Sequence, residues 1–197
     1  MALAFAYTDI VPELMRLALM FLVVPVWLLA GLGDYLCHRA SRIERASGVR
    51  ESVLHIAQFI EAAVPLLAVL FLEVNAGVVL LMLVFLVLHQ ATAVWDVRYA
   101  NDTRTVSSTE QHIHGVMEMV PFFAVLIVGI LDWPAVLSLL TDQAATFVPQ
   151  WKQPALPVWY LATVLAGAAV LALGPYGEEL LRCLRARRRL LPVRTYG

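Results

Sequence analysis

The sequence predicts an all-α integral membrane protein of about five transmembrane helices, and two observations carry this prediction. The chain has 197 residues, of which 61% are hydrophobic and 15% charged; soluble domains are about 45–50% apolar and about 25% charged. Its apolar residues gather in stretches near the ~20 residues that a membrane helix needs. This composition excludes a soluble domain, a disordered protein and a nucleic-acid-binding protein. The five predicted spans are residues 14–36, 53–72, 76–97, 113–131 and 157–174.

Prolines and one long connection interrupt this apolar pattern. Pro25, Pro65 and Pro121 lie inside the first, second and fourth spans. Neighbouring helices can satisfy the carbonyl groups that an internal proline leaves free, so we expect kinks rather than helix ends. Residues 132–156 connect the fourth and fifth spans, and we expect a short amphipathic helix there.

Basic side chains are confined almost wholly to one side of the predicted spans. Residues 38–51, 98–112 and 178–197 hold most of them, whereas the opposite side has only Arg16 and Lys152. Cytoplasmic loops of membrane proteins carry an excess of Lys and Arg. We therefore expect the N-terminus outside, the C-terminus in the cytoplasm, and a location in the cell (inner) membrane.

The predicted organisation is one transmembrane helical domain, residues 1–177, followed by a basic cytoplasmic tail, residues 178–197. The arginines of this tail are typical of a segment that touches anionic lipid headgroups. Glu178 and Glu179, with Arg182 nearby, are interpreted as a solvated helix end.

A weak internal repeat relates two predicted helical hairpins. Residues 34–67 resemble residues 92–123: each segment has Glu, then His four residues later, then Glu, then Val-Pro and an apolar run. Self-similarity of this kind indicates repeated structural units. We therefore expect a four-helix bundle built from two hairpins related by an axis along the membrane normal, plus a fifth helix.

Histidine and carboxylate side chains are concentrated at one depth of this bundle. All five histidines fall within residues 38–114, and most have carboxylates four or seven residues away. Residues at this spacing share one helix face. These sets lie at the inner ends of the first four helices, an arrangement that forms metal sites in helical bundles. The sets are Asp34 with His38, Glu51 with His55, His89 with Asp96, and Glu110 with His114 and Glu118.

These residue types predict a centre of two divalent metal ions. Several carboxylates close together repel one another, and divalent ions cancel that charge. Imidazoles with carboxylates suit iron, manganese or zinc, and we expect iron, with zinc or manganese as alternatives. The predicted ligands are His38, Glu51, His55, His89, Asp96, Glu110, His114 and Glu118. Asp34, Gln58, Glu61 and His112 are further candidates, as ligands or as partners of the ligands.

Other interpretations of single residues stay open at this point. Asp34 and Asp96 also fit solvated helix ends, and Glu110 also fits the N-terminal turn of a helix, where the dipole favours carboxylates. His112 lies about 200° around a helix from His114, so it can join the centre only if the helix has not yet begun. Glu61 is off the face that carries the predicted ligands of its helix, as expected of a proton-transfer residue or a partner of a ligand.

Over residues 34–118 the chain resembles the broad class of integral-membrane di-iron enzymes: fatty-acid hydroxylases, desaturases and alkane monooxygenases. The resemblance is one of layout, with histidine motifs at the cytoplasmic ends of helical hairpins below an apolar substrate path. Those enzymes use HxxxH, HxxH and HxxHH clusters, whereas only His112-Ile113-His114 comes close here. The mixture of Glu and His is similar to carboxylate-bridged di-iron bundles such as the alternative oxidases. Those use Glu-x-x-His, whereas Glu51/His55 and Glu110/His114 are one residue further apart, so no catalytic role transfers.

The resemblance implies an oxidoreductase that uses O₂ on a lipid-like or isoprenoid substrate. Its expected partners are the lipid bilayer, an apolar small molecule and an electron-transfer partner on the cytoplasmic side, with no nucleic acid.

Two alternative functions stay open: a zinc-dependent membrane lipid hydrolase, in which zinc activates water, and a transporter or carrier for a divalent metal. The almost wholly apolar outer halves of the spans, such as 76–88 and 122–131, argue against a conduction path.

Overall fold

The computed structural model describes residues 2–141 and 145–190, which are helical apart from short connections. Five continuous helices are long and apolar enough to cross a membrane, as in a multi-pass membrane protein: Ile10–Ser41, Val49–Phe71, Ala76–Thr103, Ser108–Leu131 and Val158–Arg189. The α-helical elements are α1 (Ala2–Ala18), α2 (Val24–Ser41), α3 (Val49–Phe71), α4 (Ala76–Thr103), α5 (Ser108–Leu131), α6 (Trp133–Thr141), α7 (Val158–Ala168) and α8 (Gly174–Leu190).

The first and last spans are longer than predicted because each is two α-helices joined by a π-helical turn. Leu19–Val23 joins α1 to α2, and Ala169–Leu173 joins α7 to α8. In both, the wide turn ends two residues before a proline, Pro25 or Pro175. A π turn keeps the helix continuous where a proline removes a backbone donor. The helices also continue through Pro65 and Pro121. The prediction that these prolines do not end their helices is therefore confirmed.

The last span packs between the first two, a place that the sequence analysis leaves open. α2 packs on α5, α5 on α4 and α4 on α3, while α8 contacts both α3 and α2. α8 therefore fills the gap between the first and second spans. The predicted boundary at residue 178 falls inside α8, which continues to Leu190. Residues 191–197 of the predicted tail lie outside the described residues.

Local signals set the ends of the helices that carry the polar cluster. Ser107 caps α5, its hydroxyl accepting a hydrogen bond from the backbone N–H of Glu110 at 3.2 Å. Asn75 caps α4 in the same way, through the backbone N–H of Val78 at 3.1 Å. Both are preferred N-cap residue types. The short helix expected within residues 132–156 is α6.

The opposite end of the bundle is partly covered by one connecting segment. Residues 145–157 lie over the turn between α3 and α4, where Lys152 N donates to Phe71 O and Glu73 N donates to Gln150 O, both at 2.9 Å. Apolar side chains line the interior beneath this cover. They include two clusters, one of Leu70, Tyr160 and Val164 and one of Val78, Met82 and Val128.

The contact between the last and first spans depends on Gly167. A Cβ at this position would lie 3.1 Å from Leu28 Cδ1, whereas a Cβ at Gly115 meets nothing within 4 Å. Overpacking costs about 1–3 kcal/mol. We expect Gly167→Leu to lower the thermal unfolding midpoint by about 2–12 °C, at about 2–4 °C per kcal/mol for this size. Gly115→Leu is the matched control, and equal midpoints in detergent would contradict close packing at Gly167.

Candidate metal centre

Eight ionisable side chains from five helices meet in one buried layer near the end of the bundle. Each is at most 8% exposed, although ionisable groups are costly inside a membrane and occur there mainly at functional sites. α8 contributes one of the eight, and α2, α3, α4 and α5 contribute the rest. The eight are Asp34, His38, Glu51, His55, Asp96, Glu110, His114 and Glu179.

One group of donor atoms is formed between α2 and α5. Asp34 Oδ1 lies 3.3 Å from His38 Nε2 and 3.1 Å from His114 Nε2. Glu110 Oε1 adds a further oxygen, 3.2 Å from the same His38 nitrogen. Asp34, His38 and His114 are grouped closely enough for one metal ion to contact all three.

A second group is formed between α3 and α4. His55 Nε2 lies 3.4 Å from Asp96 Oδ2 and 4.0 Å from Glu51 Oε1. The imidazoles of His55 and His38 are stacked, with ring centroids 4.2 Å apart and planes 8° from parallel. Known two-metal sites hold their ions about 3.5–4 Å apart. The parallel rings therefore offer two nitrogens at close to the spacing of two ions.

Glu179 fixes the orientation of both stacked rings. Its Oε2 accepts from His38 Nδ1 at 3.0 Å, and its Oε1 accepts from His55 Nδ1 at 2.7 Å. A carboxylate that accepts from one imidazole nitrogen directs the other toward a metal and raises its basicity. The expectation that Glu179 lies at a solvated helix end is wrong, since the residue is 0% exposed.

A signal for Glu179 was present in the sequence but was masked by its neighbours. Ala172, Tyr176, Glu179 and Cys183 recur at helical spacing and are all buried. This pattern marks one face of a helix. The adjacent Glu178 is more exposed and accepts hydrogen bonds from Tyr35 and Arg39. The expectation of a solvated helix end therefore fits Glu178 better than Glu179.

Several donor atoms of the cluster lack a hydrogen-bond partner among the described residues. With Nδ1 of His38 and His55 donating to Glu179, a neutral ring has only a lone pair on Nε2. Among the described residues, neither Nε2 has a hydrogen-bond partner, and the same is true of both Asp34 oxygens. A metal about 2.0–2.2 Å from each ligand puts neighbouring ligand atoms about 3–3.5 Å apart. The observed separations of 3.1–3.4 Å fit that geometry.

The charge of this layer also fits two divalent ions. Five carboxylates are buried in the layer: Asp34, Glu51, Asp96, Glu110 and Glu179. Among the described residues, Arg104 is their fixed cation, and it pairs with Glu51 and Glu110. With neutral histidines, about four negative charges remain. Two divalent ions balance that charge, and a buried charge without such compensation is strongly unfavourable.

Arg104 joins the two groups from the connection between α4 and α5. Its guanidinium donates to the carboxylates of Glu51 and Glu110, at 3.2 Å from Nε and 3.0 Å from Nη1 respectively. Burial alone would lower the pKa of Arg104, but its hydrogen bonds to Glu110 and Glu51 hold that pKa above its usual range. From the sequence, Arg104 is interpreted as one of the headgroup-contacting arginines of residues 98–112, whereas its side chain is buried against two carboxylates.

The two hairpins contribute to the cluster reciprocally. Asp34 of the first hairpin faces His114 of the second, and Asp96 of the second faces His55 of the first. Their matching glutamates, Glu51 and Glu110, meet at Arg104. His38 has no counterpart in the second hairpin, where the residue four after Asp96 is an alanine.

Gln58 and Glu61, on α3, hold neighbouring groups in place. Gln58 is buried and donates to Asp96 Oδ2 at 3.1 Å, so it orients a candidate ligand. Glu61 Oε1 accepts from Thr92 Oγ1 at 2.8 Å, and its Oε2 lies 3.9 Å from His89 Nδ1.

Three predicted residues are not part of the cluster. His89 is buried beside Glu61, where neither ring nitrogen has a hydrogen-bond partner among the described residues. His112 is exposed because α5 already begins at Ser108, so it points away from His114. The carboxylate of Glu118 is in neither donor group, although its backbone carbonyl accepts from Gln90 at 3.0 Å.

A small cavity of about 10 Å³ borders the cluster, enough for a single water-sized molecule. Asp34, His55 and His114 line one side of it, and Trp27, Phe59 and Tyr176 are among the residues that line the other. Trp27 stacks on Phe59 with centroids 6.1 Å apart and planes 4° from parallel. The donor atoms therefore face an aromatic wall, which restricts access by water.

Glu179→Gln tests whether the carboxylate orients both histidines. Loss of such a partner lowers metal affinity by about 10–100-fold, and we expect a loss of this size in competition of the zinc-loaded protein with a chelator. Glu178→Gln is the matched control, one residue away, partly exposed and bonded to neither histidine. Equal affinities for the two variants would contradict the role of Glu179.

Arg104→Gln tests the charge balance. In the metal-free protein this change leaves Glu51 and Glu110 without their cation, and breaking a buried pair costs about 3–5 kcal/mol. We expect an unfolding midpoint lower by about 6–20 °C, with a smaller deficit when divalent metal is added. The exposed Arg98→Gln is the control. A midpoint unaffected by Arg104→Gln would show that the pair contributes little.

Comparison with known proteins gives no counterpart for this centre: no protein-family model matches the chain, and no curated protein or solved structure matches it.

Proposed function

We propose that the protein is a membrane-embedded oxidoreductase with a two-metal, di-iron centre that uses O₂ to hydroxylate or desaturate a lipid-like or isoprenoid substrate. The observation that carries this proposal is the position of the donor cluster. It lies at the closed end of an apolar cavity, separated from it by little more than Trp27 and His89.

In this proposal each donor group holds one ion. Asp34, His38, Glu110 and His114 would bind the first, and Glu51, His55 and Asp96 the second. These are nitrogen and hard oxygen donors with no thiolate among them, a set that suits iron, manganese or zinc. Iron is proposed among these because it is the metal of this ligand type that activates O₂.

The cavity supplies the second part of the argument. It has a volume of about 550 Å³, within the usual 300–1,000 Å³ of ligand pockets, and its walls are mostly apolar. Val24, Leu66 and Phe85 are typical of its lining, and Trp27 and His89 border both this cavity and the small one at the donor cluster. An apolar substrate in the cavity would therefore lie next to the metals.

The protein's own residues would hold the metal ligands in position, offset their charge and shield the centre from water. When bound, the iron pair would supply coordination sites for O₂ and pass on the electrons of the external donor. Glu179 keeps two ligands aligned, Arg104 offsets ligand charge, and the aromatic wall of Trp27 and Phe59 excludes water. Glu61, with its unpaired oxygen, is placed to hold a proton beside His89. Hydroxylation balances when one O₂, one C–H bond, two protons and two electrons from an external donor give an alcohol and one water.

The alternatives are less well supported by the same features. A zinc hydrolase needs a water-accessible coordination position, whereas aromatic side chains line the approach to the donor cluster. A conduction path needs polar groups across the whole membrane, whereas the cavity between its two ends is lined chiefly by aliphatic side chains. The cytoplasmic side for the centre, and the electron-transfer partner there, remain predictions from the distribution of arginine.

The proposal is tested by metal analysis of the protein purified after expression with ample iron. We expect about two irons per chain, and an optical change when the anaerobically reduced protein meets O₂ that the zinc-loaded protein does not give. Less than one iron per chain, with zinc in its place, would contradict the proposal.

A pair of variants tests the site itself. The double change His55→Ala with His114→Ala removes one nitrogen ligand from each ion, so we expect loss of most bound iron. His112→Ala is the control, since it lies two residues from His114 but faces outward, and it should keep the iron. Unchanged iron in the double variant would mean that the cluster is not the metal site.

A further inference from the structure

The apolar cavity has two chemically different ends. Its deep end is formed by Trp27, Glu61 and His89, next to the donor cluster. Its mouth lies at the opposite end of the bundle, where charged side chains of both signs line it. These are Arg16, Glu73, Asp132 and Lys152.

The length of the cavity matches one lipid chain. Along α3 it is lined from Glu61 to Leu70, nine residues apart, which corresponds to about 14 Å at ~1.5 Å per residue. Half of a typical hydrocarbon core is about 15 Å, which is the depth of one leaflet. A chain of that length would reach from the mouth to Trp27.

The walls between the two ends offer an acyl or isoprenoid chain apolar contacts. Aliphatic and aromatic side chains from α2, α3, α4 and α5 make up this part of the lining, including Leu19, Leu66, Met82, Phe85 and Val125. Polar atoms of a ligand would lack partners there, and burying an unpaired polar group costs several kcal/mol. A ligand in the cavity must therefore be apolar along the part that lies between the two ends.

The mouth is suited to the polar end. Lys152, Gln153 and Pro154 line it from the segment that covers the turn between α3 and α4, and Glu73 holds that segment through the backbone N–H of Gln153 at 2.5 Å. The carboxyl of Asp132 also lines this end of the cavity, and partial burial raises its pKa. A headgroup would find cations and hydrogen-bonding partners together there.

We propose that this cavity binds one single-chain amphiphile tail first, with its polar head at the mouth and its chain end against Trp27 and His89. The orientation deepens the proposed function, because it places the carbons farthest from the headgroup nearest to the metals. Binding itself depends on the cavity and not on the identity of the metal. A single-chain ligand is favoured over a phospholipid, since the cavity is about as long as one chain.

The position of Trp27 makes the orientation measurable. Trp27 is 8% exposed, whereas the other four tryptophans, Trp95, Trp133, Trp151 and Trp159, are at least 54% exposed. Changing those four to Phe leaves Trp27 as the only indole emitter. The full-length protein would be studied in nanodiscs with zinc in place of iron, because iron also quenches emission.

The probes are hexadecanoic acids that carry bromine, a contact quencher, either on the terminal carbon or on the carbon next to the carboxylate. We expect the terminal bromide to remove most of the Trp27 emission and the other to leave it nearly unchanged. Equal quenching by the two acids, or stronger quenching by the bromide near the carboxylate, would overturn the proposal.

Two variants separate the cavity from the surrounding bilayer. Ala62→Phe fills the deep half of the cavity and should abolish quenching by the terminal bromide, whereas Ala91→Phe, on the exposed surface of α4, should not. Equal quenching in both variants would overturn the proposal. Nanodisc phosphatidylcholine brominated at its chain ends should quench weakly, and quenching as strong as by the acid would assign the cavity to bilayer phospholipid. Since the readout needs neither iron nor O₂, failure here is distinguishable from failure of the di-iron proposal.

Discussion

The structure of the polar layer depends on one carboxylate, Glu179, that accepts a hydrogen bond from each of two stacked imidazoles. Through these bonds a helix that offers no metal donor of its own fixes the direction of the two central nitrogens. Burying five carboxylates in a membrane is costly, and Arg104 offsets part of that cost through its ion pairs with Glu51 and Glu110. The packing of α8 between α2 and α3, the two unpaired Nε2 atoms and the balance of charge are thus consequences of one arrangement.

The parts of this structure that could be predicted from the sequence are those encoded within single helices. Spans follow from the length of apolar runs, and the pairs Asp34/His38, Glu51/His55 and Glu110/His114 follow from helical spacing. The start of α5 follows from its serine cap, and with it the outward direction of His112.

What could not be predicted depends on how separate helices pack. His89 and Glu118 have the same local spacing as true members of the cluster, but they lie further into the bundle or on a different face, and only the packing of α4 against α5 separates them. Glu179 presents the converse case. Its neighbours Glu178 and Arg182 give the segment the composition of a solvated helix end. That composition obscured the helical spacing of the four buried residues of α8 and the turn before it. Arg104 was overlooked for a similar reason, since an arginine in a connection is usually a topology signal.

The position of α8 also has a consequence for the order in which the protein is made. Chains fold broadly from the N-terminal side during synthesis, and α8 belongs to the last of the five spans along the chain. Until that span is inserted, the four earlier spans hold carboxylates and imidazoles with nothing to orient His38 and His55. The gap that α8 later fills stays open between α2 and α3 during that interval. In the proposed two-metal protein, ions would enter from that side before the last span inserts, so that metal loading and membrane insertion would form one ordered event.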